Sequence, residues 1–394
     1  RALVRSRGLG DVYKRQEYYS SNRLCKHPTR RTFQPMNKTL FIHRRDLRID
    51  DNTALIEAAR RGSEVIGCFI VDPRQVEGNR YRSECAVQFM HESLEDLDSQ
   101  YRDRGARLNV YRGIPHHVMA AIIDAEHIDA VFINRDYTPF SIARDKDIAA
   151  VCEERGVTLC EYDDVLLHAP GEVTKQDGGP YVTFTPYHGT ARKKPLREPA
   201  AFEGTPANAA DAETVAVLGE WLGLGGERFT GVRGGRKNAL SIVGRLGEHT
   251  RYKADRNFPA RNGTTRLSAY LKFGCCSARE AARAIRSTLG DDHELLRQLH
   301  WRDFFTQVAW FNPRVFGEPF HPEYAAVEWE NDQEKFNAWR EGRTGFPIVD
   351  AGMRELDQTG YMHNRARMIV ASFLTKDLHI DWRWGERHFA SRLI

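Results

Sequence analysis

Between residues 39 and 161, short apolar runs alternate with segments of helical spacing, and after residue 231 strand-like runs cease. The runs lie at 39–43, 64–71 (EVIGCFIV), 107–111 (RLNVY), 130–134 (AVFIN) and 157–161 (VTLCE). Between them, 52–61, 82–103, 115–125 and 141–155 carry helical spacing, with Asp50 and Asp51 placed to cap the first. Strands that each hand on to a helix cannot pair as hairpins, so the chain must cross over to a parallel neighbour. The expectation is a Rossmann-like, five-stranded parallel α/β domain with helices on both faces. Such sheets bind ligands beyond the carboxyl ends of their strands. No GxGxxG follows the first strand and no GxxxxGK[ST] occurs, so neither dinucleotide nor P-loop binding is supported by its usual signature.

The rest of the chain reads differently. Residues 166–230, rich in Gly, Pro and Ala, read as a long interdomain linker. From 231 to 394 the pattern is helical, with candidate helices at 232–246, 266–273, 277–289, 292–311, 332–341, 347–358, 362–376 and 383–393. The fold class expected is therefore α/β plus all-α: an α/β domain over 36–165 and a helical domain over 231–394. Residues 1–35 lack apolar periodicity, start at Arg1 and precede the first methionine, Met36; they read as a non-native or disordered leader, with a basic targeting tail as the alternative. The last residues, Arg387 to Ile394, read as an unfinished helix.

Charge divides along the same lines. The formal total is only +4, yet residues 39–230 hold 22 basic and 32 acidic side chains, whereas 231–394 hold 26 basic and 20 acidic. An anionic partner is expected for the back half only, a solvated basic surface being the plainer alternative. No run of 18 apolar residues exists, which excludes a transmembrane helix. The seven cysteines are scattered, with no CxxC and no zinc spacing, which points to a reducing compartment and no metal.

Three motifs carry candidate chemistry. Gly263-Thr264-Thr265-Arg266-Leu267-Ser268 combines hydroxyls and a guanidinium at an expected helix start, a diphosphate cradle or a plain cap. Gln298-Leu299-His300-Trp301-Arg302-Asp303-Phe304-Phe305 puts Trp301 and Phe305 on one helix face, a surface for base stacking or an aromatic core stripe. Tyr361-Met362-His363-Asn364-Arg365-Ala366-Arg367-Met368 offers base-edge and phosphate chemistry, with Arg365 and Arg367 pointing apart; a basic surface run is the alternative. Phe346-Pro347 and the run to Arg354 read as architectural.

Taken together, these motifs resemble the cryptochrome/photolyase family, most closely its class I cyclobutane pyrimidine dimer photolyases. The resemblance spans about 39 to 394. It includes HRRDLRIDDN at 43–52, PYVTFTPY at 180–187, GTTRLS at 263–268, WRDFF at 301–305, GRTGFPIVDAGMREL at 342–356 and the run from Gly360 onward. It implies an antenna domain followed by a helical FAD-binding domain. It also implies a carbon–carbon lyase that uses blue light and reduced FAD to split a flipped-out dimer in DNA. By the same resemblance, Tyr252, Thr264, Thr265, Arg266, Leu267, Ser268, Arg302 and Arg367 hold FAD. Gln298, Trp301, Arg302, Asp303, Phe304, Phe305, Asn364, Arg365 and Met368 face damaged DNA, and Trp329 and Trp382 belong to an electron-transfer chain. An antenna chromophore, a folate or a deazaflavin, is implied as an option in the first domain. So are a UV-damaged partner in duplex or single-stranded DNA, a monomer, and a cytoplasmic prokaryotic setting.

Two departures from the family pattern stand out. Gln298 occupies the position of a lesion-facing carboxylate, which leaves a (6-4)-type preference open, and a cryptochrome-like photoreceptor is the other alternative. The family's segment with further flavin contacts and the tryptophan nearest the ring lies past Ile394, so C-terminal truncation and weak FAD retention are expected.

Overall fold

The computed structural model describes residues 36–226 and 230–394; the expected leader, 1–35, lies outside the described residues. Five strands form a parallel sheet in the order β3-β2-β1-β4-β5: β1 (Met36–His43), β2 (Gly62–Val71), β3 (Asn109–Arg112), β4 (Ala130–Asn134) and β5 (Thr158–Tyr162). Helices α1 (Thr53–Arg61), α2 (Glu84–Arg102), α3 (Pro115–Glu126) and α4 (Pro139–Glu154) make the crossovers. Alternation along β1 shows why both faces are covered. Leu40 and Ile42 pack with Ile66, Ile123 and Ile148 on one face, while Phe41 packs with Leu55, Phe89 and Phe132 on the other.

Two expectations are corrected here. The sheet has a sixth strand, β6 (Pro206–Ala207), supplied by the presumed linker. It pairs with Val65 and Ile66 of β2, where β3, which starts opposite Cys68, leaves the edge open. The cap of α1 is Asn52, whose side chain accepts from Leu55 N–H, not Asp50 or Asp51. Asp51, at φ +50°, turns inward to Arg279, and Asp50 pairs with Arg104.

The linker also holds α5 (Phe184–Ala191), and the buried Asp164 lies just before it. The helical part comprises α6 (Arg236–Gly244), a one-turn α7 (Tyr252–Asp255), α8 (Ser268–Phe273), α9 (Ala278–Leu289), α10 (Glu294–Phe311), α11 (Gln333–Arg340), α12 (Pro347–Thr359), α13 (Asn364–Ser372) and α14 (Trp382–Ala390). A Ser277–Glu280 capping box starts α9. The core on the Phe41 face of the sheet runs on without a break through Tyr270, Ile285 and Leu299, so the two halves share it. A second helical core surrounds Trp339, Met353, Met362 and Leu374. The expected helix 362–376 begins at Asn364, because the His363 side chain caps it, and passes into a π turn at Phe373–Asp377. The final helix ends at Ala390 with Ser391 as its C-cap. Among the described residues, no helix is long and apolar enough to cross a membrane.

A buried ionic network joins the halves. Arg279 of α9 binds Asp51 at 2.9 Å and Asp164 at 2.7 Å, and Arg48 binds Asp164 at 2.5 Å. Burial alone would raise the Asp164 pKa, but the Arg48 and Arg279 guanidinium groups hold its carboxyl far below the usual range.

Candidate cofactor and DNA-facing site

Residues from α7, α10, α13 and the loop before α8 meet around one turn of chain. On α10, Gln298 Nε2 donates to Glu294 Oε1 at 3.1 Å, one helical turn back. Glu294 is held by Arg256 at 3.1 Å, and the Arg256 guanidinium lies 5.7 Å from the Tyr252 ring. From the other side, Arg365 on α13 donates to Asn257 Oδ1 at 2.9 Å. Residues 252–257 thus tie Gln298 to Arg365. Tyr361, just before α13, brings in the loop: its hydroxyl is 3.4 Å from Thr264 Oγ1, and the Arg266 guanidinium lies 4.8 Å over its ring.

The loop corrects the expected cradle. Helix α8 begins at Ser268, not 266, and is only six residues long, with Leu267 before it making no side-chain cap. Thr264, Thr265 and Arg266 therefore present side chains from a loop, not amides from a helix N-terminus. A Cβ at Gly263 would lie 2.7 Å from Asp255 Cβ, so glycine is what lets the loop pass α7. Arg266 itself sits at φ +54°. Thr264, Thr265 and Arg266 line a cavity of about 440 Å³ with Arg245, His249 and Arg261. Hydroxyls among several guanidinium groups suit a diphosphate. Arg367 adds a second sign. Burial pushes its pKa down, one nitrogen donates to Met362 O, and its Nε is buried without a partner. A cation short of acceptors fits an anionic or carbonyl-bearing group, so the residues present fit FAD.

Several expected DNA-facing residues are turned away from solvent. Asp303 is 1% exposed and accepts from the backbone N–H groups of Leu167 and His168, pinning the linker to α10. Burial pushes its pKa up to about 6 despite the neighbouring Arg302. Phe304 is a core residue, and so is Leu267, which was expected to hold FAD. Arg302 spends donors on the carbonyls of Val165 and Leu271, and burial pushes its pKa down to about 10. Five contiguous residues on a helix cannot share one face, and WRDFF obeys that geometry. Trp301 lies flat on Phe184 of α5, with ring centroids 3.6 Å apart and planes 8° apart, and Phe305 stacks on it at 5.3 Å. Phe305, Asn364 and Met368 are exposed, with Asn364 Nδ2 3.8 Å from Met368 Sδ. Phe184, Arg256, Asn257 and Glu294 were missed, and only the PYVTFTPY run gave any signal for the first.

Comparison with known proteins decides the family. Residues 39–207 match the DNA photolyase family model and 295–394 match the FAD-binding domain of DNA photolyase. A deoxyribodipyrimidine photo-lyase of Synechococcus is 34% identical over 382 residues, covering 90% of this chain and 77% of the relative. One from Halobacterium salinarum is 36% identical over 377 residues, covering 90% and 78%. The chain belongs to the photolyase/cryptochrome family. An archaeal photolyase from Sulfolobus tokodaii, solved with two FAD molecules, superposes with a TM-score of 0.82 at 43% identity over 90% of this chain and 79% of that one. A class III photolyase from Agrobacterium tumefaciens gives 0.82 at 29% identity, covering 93% and 78%. A cryptochrome from Synechocystis gives 0.83 at 28%, covering 92% and 80%.

Two further features of this photolyase-family chain bear on its chemistry. Trp329 and Trp382, distant in sequence, flank one seam: Glu330 N–H donates to His379 O at 2.9 Å, and Asp381 N–H donates to Asn331 Oδ1 at 2.9 Å. Trp329 is half-buried, and Trp382 lines an apolar groove with Leu374 and Phe389. The sheet order reverses between β1 and β4, and there Arg45, Asp136, Tyr137 and Thr138 line a cavity of about 300 Å³ together with Arg302 and Phe305. That is where a parallel sheet takes a ligand.

Proposed function

We propose that the chain is a deoxyribodipyrimidine photolyase that binds cyclobutane pyrimidine dimers in DNA and splits them under blue light. The observation that carries this reading is the convergence of Gln298 and Arg365 on residues 252–257, beside the polar cavity of Thr264–Arg266. A lesion reader and a cofactor holder need to be neighbours, and these are. Tyr252, Thr264, Thr265, Arg266, Ser268 and Arg367 hold FAD, which when bound and reduced supplies the light-driven electron. Arg365 and Asn364 face phosphate and base, and Gln298 hydrogen-bonds the dimer. A dimer is poorly paired, so turning it out of the duplex costs less than turning out a normal base. Half-buried Trp301 and exposed Phe305 offer aromatic surface to that base, while Phe184 holds the indole by stacking on it. Trp329 and Trp382 relay electrons across their shared seam. The cavity at the β1–β4 switch point is the place for a second, light-gathering chromophore.

The test is blue-light repair of matched oligonucleotides carrying a cyclobutane dimer or a (6-4) product. Light-dependent restoration of the dimer strand is expected, and repair of the (6-4) strand alone would overturn the substrate assignment. A photoreceptor role is the second reading, favoured by the cryptochrome likeness above. Equal affinity for irradiated and intact DNA, with flavin bound, would support it instead.

A further inference from the structure

We propose that Glu294 is a positioning residue that fixes which way the Gln298 amide faces. This rests on Gln298 being a lesion reader, as proposed above. A carboxamide has a donor end and an acceptor end of nearly equal size, and nothing in its shape decides which points outward. At Gln298 the neighbour decides. An ionised carboxylate only accepts hydrogen bonds, so it can engage the NH₂ end alone. Gln298 Nε2 donates to Glu294 Oε1 at 3.1 Å. Reversing the amide would set its carbonyl oxygen against that carboxylate.

Glu294 is no loose surface acid. Its side chain is only 14% exposed, and Arg256 holds it at 3.1 Å from a different segment. The guanidinium keeps the carboxylate in place. It also explains why Glu294 stays on α10 near Gln298 and does not swing to solvent. The amide therefore keeps its nitrogen toward Glu294, leaving its carbonyl oxygen and second N–H for a ligand. A pyrimidine that retains an N3–H beside a carbonyl offers the complementary donor and acceptor. The position thus reads hydrogen-bond order, although no carboxylate stands there.

The magnitude follows from populations. If the two amide orientations become equal, the competent fraction halves and apparent affinity for the lesion falls about twofold. Freed side-chain torsions raise that loss to about fivefold, since an ordered Gln gives up more than one rotamer choice.

The experiment is a double-mutant cycle on the flavin-loaded protein. It uses Glu294→Met, which keeps similar volume and removes the acceptor, together with Gln298→Ala and the double variant. The readout is the ratio of affinities for dimer-containing and intact oligonucleotides of one sequence. Glu294→Met should lower that ratio about two- to fivefold in the parent and leave it unchanged in the Gln298→Ala background. An equal loss in both backgrounds would mean that Glu294 acts through Arg256 and the fold, and would overturn the proposal. No loss in the parent would overturn it as well. If Gln298→Ala leaves the ratio unaltered, the lesion-reader assignment fails first and the proposal falls with it. Restoration of the parent ratio by Glu294→Asp, which keeps the charge, would separate positioning from packing.

Discussion

Asp303 offers a sharp test, because the structure moves it from the DNA face to a buried clamp. Its two oxygens accept from Leu167 N–H at 3.3 Å and His168 N–H at 3.0 Å. Burial pushes its pKa up from 3.8 to about 6, against the pull of Arg302. Between those values the folded chain binds more protons at this site than the unfolded chain, so stability falls as pH rises. Working through the two binding curves, the clamp loses about 1 kcal/mol between pH 5 and pH 7. Asp303→Asn cannot titrate. Its single carbonyl oxygen satisfies one of the two amides, at a roughly pH-independent cost of about 1–3 kcal/mol. The gap between parent and variant should therefore narrow by about 1 kcal/mol from pH 5 to pH 7. Denaturant melts at both pH values measure it. A gap that stays constant or widens would refute the reasoning. Affinity for dimer-containing DNA should not change, because Asp303 does not reach the surface.

Other perturbations are equally direct. Phe184→Ala removes a 5%-exposed ring from beneath Trp301. It should cost about 3–5 kcal/mol in melts and weaken binding to damaged DNA. Arg365→Ala should lower DNA affinity and reduce the slope of log K against log salt by about 1, with flavin content unchanged. Arg367→Ala should do the reverse, lowering the absorbance ratio of flavin to protein after gel filtration while sparing the salt slope. Gly263→Ala drives a methyl group into Asp255, 2.7 Å away. It should reduce flavin retention with little change in the far-ultraviolet circular dichroism.

The sheet was legible because burial on both faces writes itself as apolar runs, and the five expected strands fall within three residues of those observed. The helical domain was legible for the same reason of period. The linker was not. Its two-residue strand and its Phe184, like Asp164 just before it, have no period to expose them, and pairing across 115 residues leaves no local trace. The site divides in the same way. Gln298, Asn364, Arg365 and Met368 were found through motif resemblance; Asn364 and Met368 are exposed, and Gln298 and Arg365 are half-buried. Asp303 and Phe304 were carried along because they sit inside the same string, although helical geometry turns them inward. The hub at 252–257 was only half visible. Tyr252 was singled out, but Arg256 and Asn257 gain their meaning from Glu294 and Arg365, and only the fold brings those four together.

The buried network of Arg48, Asp51, Asp164 and Arg279 poses a last question, because such networks are weak evidence for stability. Removing one member strands the others: Asp164→Asn would replace an acceptor with a donor against Arg48, at about 3–5 kcal/mol. Replacing all four with apolar residues of similar volume would cost little, or even stabilise. What the apolar set could not supply is direction. Asp164 follows β5, Arg48 follows β1, and Arg279 lies on α9, so the ion pairs fix how the sheet's carboxyl ends sit against the helical domain. The switch-point cavity is lined from both halves, by Arg45 and Asp136 and by Arg302 and Phe305, and Arg302 is fastened to Val165 and Leu271. The fourfold apolar variant should therefore melt near the parent temperature yet retain less flavin and repair more slowly. If it keeps both flavin and repair, the shared core alone sets the register and the charges contribute nothing to it.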